Sequence, residues 1–172
     1  MPKKHNQYLN KLLLLITLFV ICVPSYAECV TIQRVIDGDT VVTEAGEHVR
    51  LAEIDAPEHN QRFGYESTQY LIHLLAVTDN VVELDRGDHD RYGRTIGFLN
   101  SKTIGCLNSL MVMDGYAWVY VKYAHDAGVW YRAENQAKFN HLGLWIDRNP
   151  VPPWTFRLME KQHSPMLYRI RQ

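Results

Sequence analysis

Two carboxylates straddle a glycine in Asp37-Gly38-Asp39-Thr40. Aspartate and glycine are ordinary turn residues, so this segment alone reads as a hairpin turn. An EF-hand is excluded, because that loop needs an oxygen ligand, a glycine and a glutamate where Val41, Val42 and His48 stand. A second group follows in Arg50-Leu51-Ala52-Glu53-Ile54-Asp55-Ala56-Pro57-Glu58. A strand ending in Asp55 and stopped by Pro57 delivers carboxylates to a strand edge. Hard cations such as Ca2+ take such oxygens together with backbone carbonyls. Arg50 lies five residues before Asp55. As an exposed ion pair the two would contribute only ~0–1 kcal/mol. The third group, Asp90-Arg91-Tyr92-Gly93-Arg94, joins two guanidinium groups to a phenol and a glycine. Arginine forks match phosphate oxygens bidentately and stay charged. A solvated charged turn has the same composition.

The elements that must position these groups read as five short strands and three helices. β-branched and alternating runs place strands at 30–36, 40–43, 48–54, 81–84 and 94–99. Apolar residues at helical spacing place helices at 66–76, 106–114 and 130–141. Residues 117–121 read as extended. This is an α+β pattern, which a small Greek-key barrel with helices packed on it satisfies. Periodicity does not choose that barrel over other α+β folds. Tyr116, Trp118 and Tyr120 alternate along one strand and divide between core and barrel surface. Trp130, Ala133, Ala137 and Leu144 pack the last of these helices. The scattered His59, His89 and His125 read as surface residues.

Composition bounds the answer. The chain has 172 residues, of which 47% are hydrophobic and 22% charged, so it folds as one ordinary domain and is not chiefly disordered. A formal charge of -1 excludes coating nucleic acid by bulk positive charge. Lys3, Lys4 and Lys11, an apolar run at 12–23 and Pro24-Ser25-Tyr26-Ala27 form a secretory signal pattern over residues 1–27. The apolar run is too short to span ~30 Å of hydrocarbon. Cleavage after Ala27 removes three lysines and no acid, taking the charge from -1 to -4. An oxidising compartment then leaves Cys29 and Cys106 as one disulfide or as two thiols. Their spacing does not suit zinc. Residues 149–172 form a Pro-rich and basic tail, extended at Asn149-Pro150-Val151-Pro152-Pro153 and carrying Trp154, Arg157, Lys161, Arg169 and Arg171. Trp154 packs back on the domain, or the basic arm touches substrate or another partner.

Taken together and in this order, these segments closely resemble the staphylococcal nuclease family. The likeness runs from Ile36-Asp37-Gly38-Asp39-Thr40 through Arg50-Leu51, Ile54-Asp55-Ala56-Pro57-Glu58 and Asp90-Arg91-Tyr92-Gly93-Arg94. It ends with Gly115-Tyr116-Ala117-Trp118-Val119 and Gly143-Leu144-Trp145, so it covers nearly all of residues 30–145. The resemblance implies a five-stranded OB-fold β-barrel with three helices over residues 28–148. It implies Ca2+-dependent hydrolysis of DNA and RNA that leaves 3′-phosphate ends. Asp39 and Asp55 match the calcium-binding carboxylates, with the Ala56 carbonyl as a third ligand. Ala56 replaces a hydroxyl residue of the best-known member. Glu58 matches the carboxylate that activates water, and Arg50 and Arg94 the pair that grips the scissile phosphate. Tyr92 matches a residue near the bound nucleotide. Tyr123 matches another, with Tyr120 as the alternative position. The protein is then expected to be a monomer, secreted or periplasmic, with no stable membrane insertion once the signal is cut. Arg62, Arg91, Lys122 and Arg132 are candidates for a local basic rim. The rivals are a non-catalytic OB-like binding module and a secreted protein-interaction domain that docks by its tail. The retained carboxylates and arginines oppose the first. Deleting the residues after Pro153 separates the second, since a nuclease core would retain turnover.

Overall fold

The computed structural model describes residues 28–122, 124 and 127–170, without the side chains of 127 and 163–170. The signal pattern of residues 1–27, Tyr123 and His125 lie outside the described residues. Among the described residues, eight strands and four α-helices follow one another. They are β1 (Glu28–Asp37), β2 (Thr40–Thr43), β3 (His48–Leu51), β4 (Ile54–Asp55), α1 (Gly64–Val77), β5 (Val81–His89) and β6 (Thr95–Ser101). Then come β7 (Gly105–Cys106), α2 (Leu107–Met113), β8 (Trp118–Val119), α3 (Ala127–Phe139) and α4 (Pro153–Ile170).

Five of the strands form a ring. The order β3-β2-β1-β5-β6 closes on itself because β3 also pairs with β6, in parallel, with Arg50 opposite Ile96. Every other pairing in the ring is antiparallel, so the barrel is mixed. Closure leaves no long open edge for another chain to extend. Val41, Val49, Leu51, Leu84 and Leu99 fill the barrel and are sealed by Leu71 and Leu75 of α1 and by Leu107 and Met111 of α2. A second cluster of Trp118, Ala137, Leu144 and Trp145 lies beneath α3, and Phe63 and Trp154 pack against it.

Three sequence expectations change on folding. The strand expected over 48–54 breaks after Leu51, where Glu53 takes a left-handed φ of 64°. Ala52 still bonds to Gly97 across the barrel, and Asp55 re-enters a separate ladder opposite Trp118. The strand expected at 81–84 runs on to His89, through charged residues that face water on a ribbon paired with β6. Charge there masks the strand signal. Finally, the extended Pro-rich run ends at Pro152 and the chain becomes helical at Pro153. Proline suits the first turn of a helix, because its missing N–H would have had no partner there.

The cysteines are settled by register. Cys29 pairs with Glu83, Glu83 with Asn100, and Asn100 with Cys106. Three strand spacings of ~4.8 Å put the two sulfur-bearing residues roughly 14 Å apart along the sheet. A disulfide needs Cα atoms within about 7 Å. Both are free thiols, Cys29 exposed and Cys106 partly buried, and burial pushes the Cys106 thiol up.

Gly38 sets the approach of the barrel turn to α1. A Cβ there would lie 1.9 Å from Ser67 Oγ and 2.8 Å from Ala56 Cβ. Ser67 Oγ is already committed to the Tyr116 carbonyl at 2.7 Å. Gly38→Ala is expected to destabilise the protein by ~1–3 kcal/mol, the usual cost of overpacking. A urea midpoint unchanged from wild type would refute that packing account.

Candidate active site

The β1–β2 turn presents Asp39 inward. Its Oδ2 accepts the Ala56 N–H at 2.7 Å, its Oδ1 accepts Thr40 Oγ1 at 3.1 Å, and its own N–H donates to Asp37 Oδ1. Thr40 sits opposite Arg50 in the β2–β3 ladder, so the guanidinium starts beside this turn. Arg50 Nη2 lies 3.0 Å from Asp39 Oδ2 and 2.9 Å from Asp55 Oδ1, while Nη1 donates to the Leu51 carbonyl at 2.7 Å. Both carboxylates meet one nitrogen, so the oxygens concerned are no more than about 6 Å apart. On a straight strand, residues 50 and 55 would be ~16 Å apart and on opposite faces. The left-handed turn at Glu53 is what brings them together.

Asn108 locks that turn. It is fully buried, and its Nδ2 donates to the carbonyls of Ala52 and Gly97 while its Oδ1 accepts the Leu99 N–H. Sequence reasoning missed this residue, because a lone asparagine at a helix start looks like a cap. Glu134 was missed too, because a glutamate inside a helix reads as a solvated face. Buried on α3, it accepts the Val119 N–H at 3.0 Å and holds β8, the partner of Asp55.

Burial dominates the electrostatics of the cluster. Burial pushes Asp39 up to about 6, Arg50 pulls it back, and Asp37 raises it again. Burial also raises Asp55, against the opposing bonds from Arg157, and the Asp39 charge adds to the rise. Among the described residues, no three His, Cys, Asp or Glu side chains are grouped to hold a metal ion by themselves. A hard cation fits the donor set only as two carboxylates supplemented by backbone and water oxygens. Asp39 and Asp55 supply the first part. Ala56 follows Asp55 directly and is buried, with its N–H spent on Asp39.

Glu58 stands on the loop leading into α1. Its N–H donates to Gln61 Oε1, and its carbonyl accepts the Gln61 N–H. Gly64 begins the helix where a Cβ would lie 2.0 Å from the Glu58 carbonyl. Arg94 follows a tight turn made possible by Gly93 at φ 80°. Asp90 holds it through Nε at 2.8 Å, and its Nη1 reaches Thr40 Oγ1 at 3.4 Å, next to Asp39. Tyr92 is exposed on the same turn, with the Arg91 and Arg94 guanidiniums 4.8 and 5.7 Å from its ring centre. The structure therefore brings Asp39, Arg50, Asp55, Ala56, Glu58 and Arg94 to one end of the barrel, with Tyr92 at the rim. Of the expected basic rim, Arg62 is drawn off by Asp147 at 2.6 Å, and Arg91 donates to the Tyr92 hydroxyl.

One unassigned residue enters from outside the barrel. Arg157 of α4 donates to Glu58 and to both oxygens of Asp55. Burial opposes its charge, but the pairing with Asp55 and Glu58 outweighs this and raises its pKa. The sequence signal was only a basic residue three positions after Trp154.

The described strands close an OB-type barrel with carboxylates and arginines gathered at one end. The family model described as "Staphylococcal nuclease homologue" matches residues 48–147. An uncharacterized endonuclease of Haemophilus influenzae is 38% identical over 165 residues, covering 94% of this chain and 90% of that one. Micrococcal nuclease of Shigella flexneri is 35% identical, over 83% of this chain and 88% of its own. Protein ParB of Escherichia coli is 36% identical over 83% and 86%. The chain belongs to the staphylococcal nuclease family, and it is a nuclease. The matched span starts after Asp39 and ends before Arg157.

Proposed function

We propose that the protein is a secreted or periplasmic, Ca2+-dependent endonuclease that hydrolyses DNA and RNA as a monomer and leaves 3′-phosphate ends. The observation that carries this reading is the single Arg50 guanidinium bridging Asp39 and Asp55, with Arg94 and Glu58 beside them. Asp39, Asp55 and the Ala56 carbonyl would hold the cation, whose chemistry is to polarise phosphate oxygens and offset growing charge. Arg50 spends at most three of its five N–H donors on the protein, so others remain for an equatorial phosphate oxygen. Arg94 adds donors from the Thr40 side. Glu58 accepts the proton of the attacking water once that water is within about 3 Å of it. Tyr92 offers an exposed ring face to bases, and the family likeness gives Tyr123, or Tyr120, the same role, a sequence-tolerant contact of ~1–3 kcal/mol each. No helix among the described residues is long and apolar enough to cross a membrane. The export signal at residues 1–27 supports release after cleavage.

The test is degradation of single-stranded DNA in Ca2+, with matched EGTA and Glu58→Ala controls. Chelation is expected to abolish cleavage. Glu58→Ala is expected to slow it by ~10²–10⁴-fold, the range for losing a general base. Product ends should resist polymerase extension until a phosphatase removes the 3′ phosphate. Folded protein that cleaves neither DNA nor RNA in any divalent metal would end this reading.

A further inference from the structure

Helix α4 carries a cation into the acidic cluster. Arg157 Nη1 bonds Glu58 Oε1 at 2.6 Å and Asp55 Oδ1 at 3.2 Å, and Nη2 bonds Asp55 Oδ2 at 2.7 Å. The helix does not depend on this charge for its place. Pro153 is buried, and Trp154 stacks on Tyr120 with the ring planes 9° apart. Gln61 Nε2 donates to the Val151 carbonyl at 2.6 Å, and Asn60 Nδ2 donates to Glu160 Oε1 at 3.2 Å. Asn60 and Gln61 belong to the loop that carries Glu58. The C-terminal segment and that loop are thus tied together on both sides of Arg157 in sequence.

Asp55 is the point of conflict. A carboxylate offers about four lone-pair positions. Arg50 takes one of them and Arg157 two. A divalent cation drawing on Asp55 would meet a full positive charge already bonded to both of its oxygens. The two cannot share that carboxylate without strong like-charge repulsion.

We propose that Arg157 is a positioning residue of the active centre: a built-in counter-cation that holds Asp55 and Glu58 and that a divalent cation must displace from Asp55. This rests on the calcium-dependent reading above. Arg157 docking and cation binding are then antagonistic, and by linkage each weakens the other by the same factor. The C-terminal helix sets the cation affinity of a site whose other residues all lie in the barrel and its loops.

Calorimetric titration of the purified protein with Ca2+, without nucleic acid, tests this. Arg157→Gln keeps the packed stem and removes the charge, and it should bind Ca2+ about 10-fold tighter than wild type, within the usual range of coupling. Arg157→Lys keeps the charge but not the fork and should fall between wild type and Arg157→Gln. Asn60→Ala loosens the helix but leaves the Arg157 charge in place, so by the same linkage it should tighten Ca2+ binding by less than Arg157→Gln does. In the wild type, Ca2+ should lower hydrogen-exchange protection in the first turns of α4, a readout that needs no variant to fold. Equal or weaker binding by Arg157→Gln, tightening of Asn60→Ala to the same degree, or unchanged exchange in a protein that binds Ca2+ would each overturn the proposal. Silent titrations in all the folded proteins would overturn it together with the calcium reading, and differ plainly from equal affinities.

Discussion

Arg50→Ala is expected to lower nuclease turnover by roughly a thousandfold and to destabilise the cation-free protein by about 3 kcal/mol. The catalytic loss is that of an electrostatic donor aimed at the reacting oxygens, typically ~10²–10³-fold, compounded by disorganised carboxylates. The stability loss follows from burial. Asp39 and Asp55 are almost wholly enclosed, and Arg50 is the cation they share. Breaking a buried pair by removing one partner costs ~3–5 kcal/mol because the other charge is stranded. Arg157 still neutralises Asp55, so the lower end applies. Arg50→Lys should recover part of the stability and little of the activity. One ammonium cannot reproduce a fork that spans two carboxylates and the Leu51 carbonyl. Turnover with single-stranded DNA and urea midpoints measure the two effects. An activity loss below tenfold would show that Arg50 is not the organiser of this site.

Asp39→Asn should act with the opposite sign on stability. The folded pKa is pushed from 3.8 up to about 6, chiefly by burial. Between those values the folded state binds more protons than the unfolded one, so stability falls as pH rises from about 4 to about 6. Above that window the full penalty of a buried charge remains, on the order of 2–3 kcal/mol for a shift of about two pKa units. Asparagine keeps an oxygen for the Ala56 N–H and carries no charge. Asp39→Asn is therefore expected to be more stable than wild type by about 2 kcal/mol at pH 8 without cation. The difference should shrink towards zero near pH 4. Cation-dependent cleavage should fall by at least ~100-fold, since a carboxylate that neutralises the ion is gone. Urea titrations from pH 4 to 8 and matched assays decide it. A destabilised Asp39→Asn at pH 8 would mean that the Asp39 charge stabilises the fold instead of straining it. The contrast between the two substitutions separates a residue that relieves the cluster from one that loads it.

The opposite signs arise from one cluster, and the chain's local signals already contained most of its members. The β-branched run of β2 coincides with the structure, and α1 and α3 follow their apolar spacing to within a few residues. The carboxylates and arginines stand in segments whose order carries the family likeness. Those features are legible because turn chemistry, periodicity and motif spacing act over a few residues. The helix α4 was hidden by prolines that read as extended chain, although Pro153 can open a helix. The ribbon at the end of β5 was hidden because its exposed charges look like loop.

What the sequence by itself determined is the class of barrel and a set of candidates for the site it carries. It offered Asp39, Arg50, Asp55, Glu58 and Arg94 as the reacting groups, with the turns and strands that begin their placement. The tertiary structure alone decided who touches whom. It bent the chain at Glu53 so that Arg50 meets Asp55, and it buried Asn108 to hold that bend. It separated Cys29 from Cys106 by three strand spacings, and it brought Arg157 onto carboxylates about a hundred residues earlier in the chain. The reason is physical. Propensity and periodicity concern neighbours along the chain, whereas barrel closure and helix docking set distances between residues that the chain itself leaves independent.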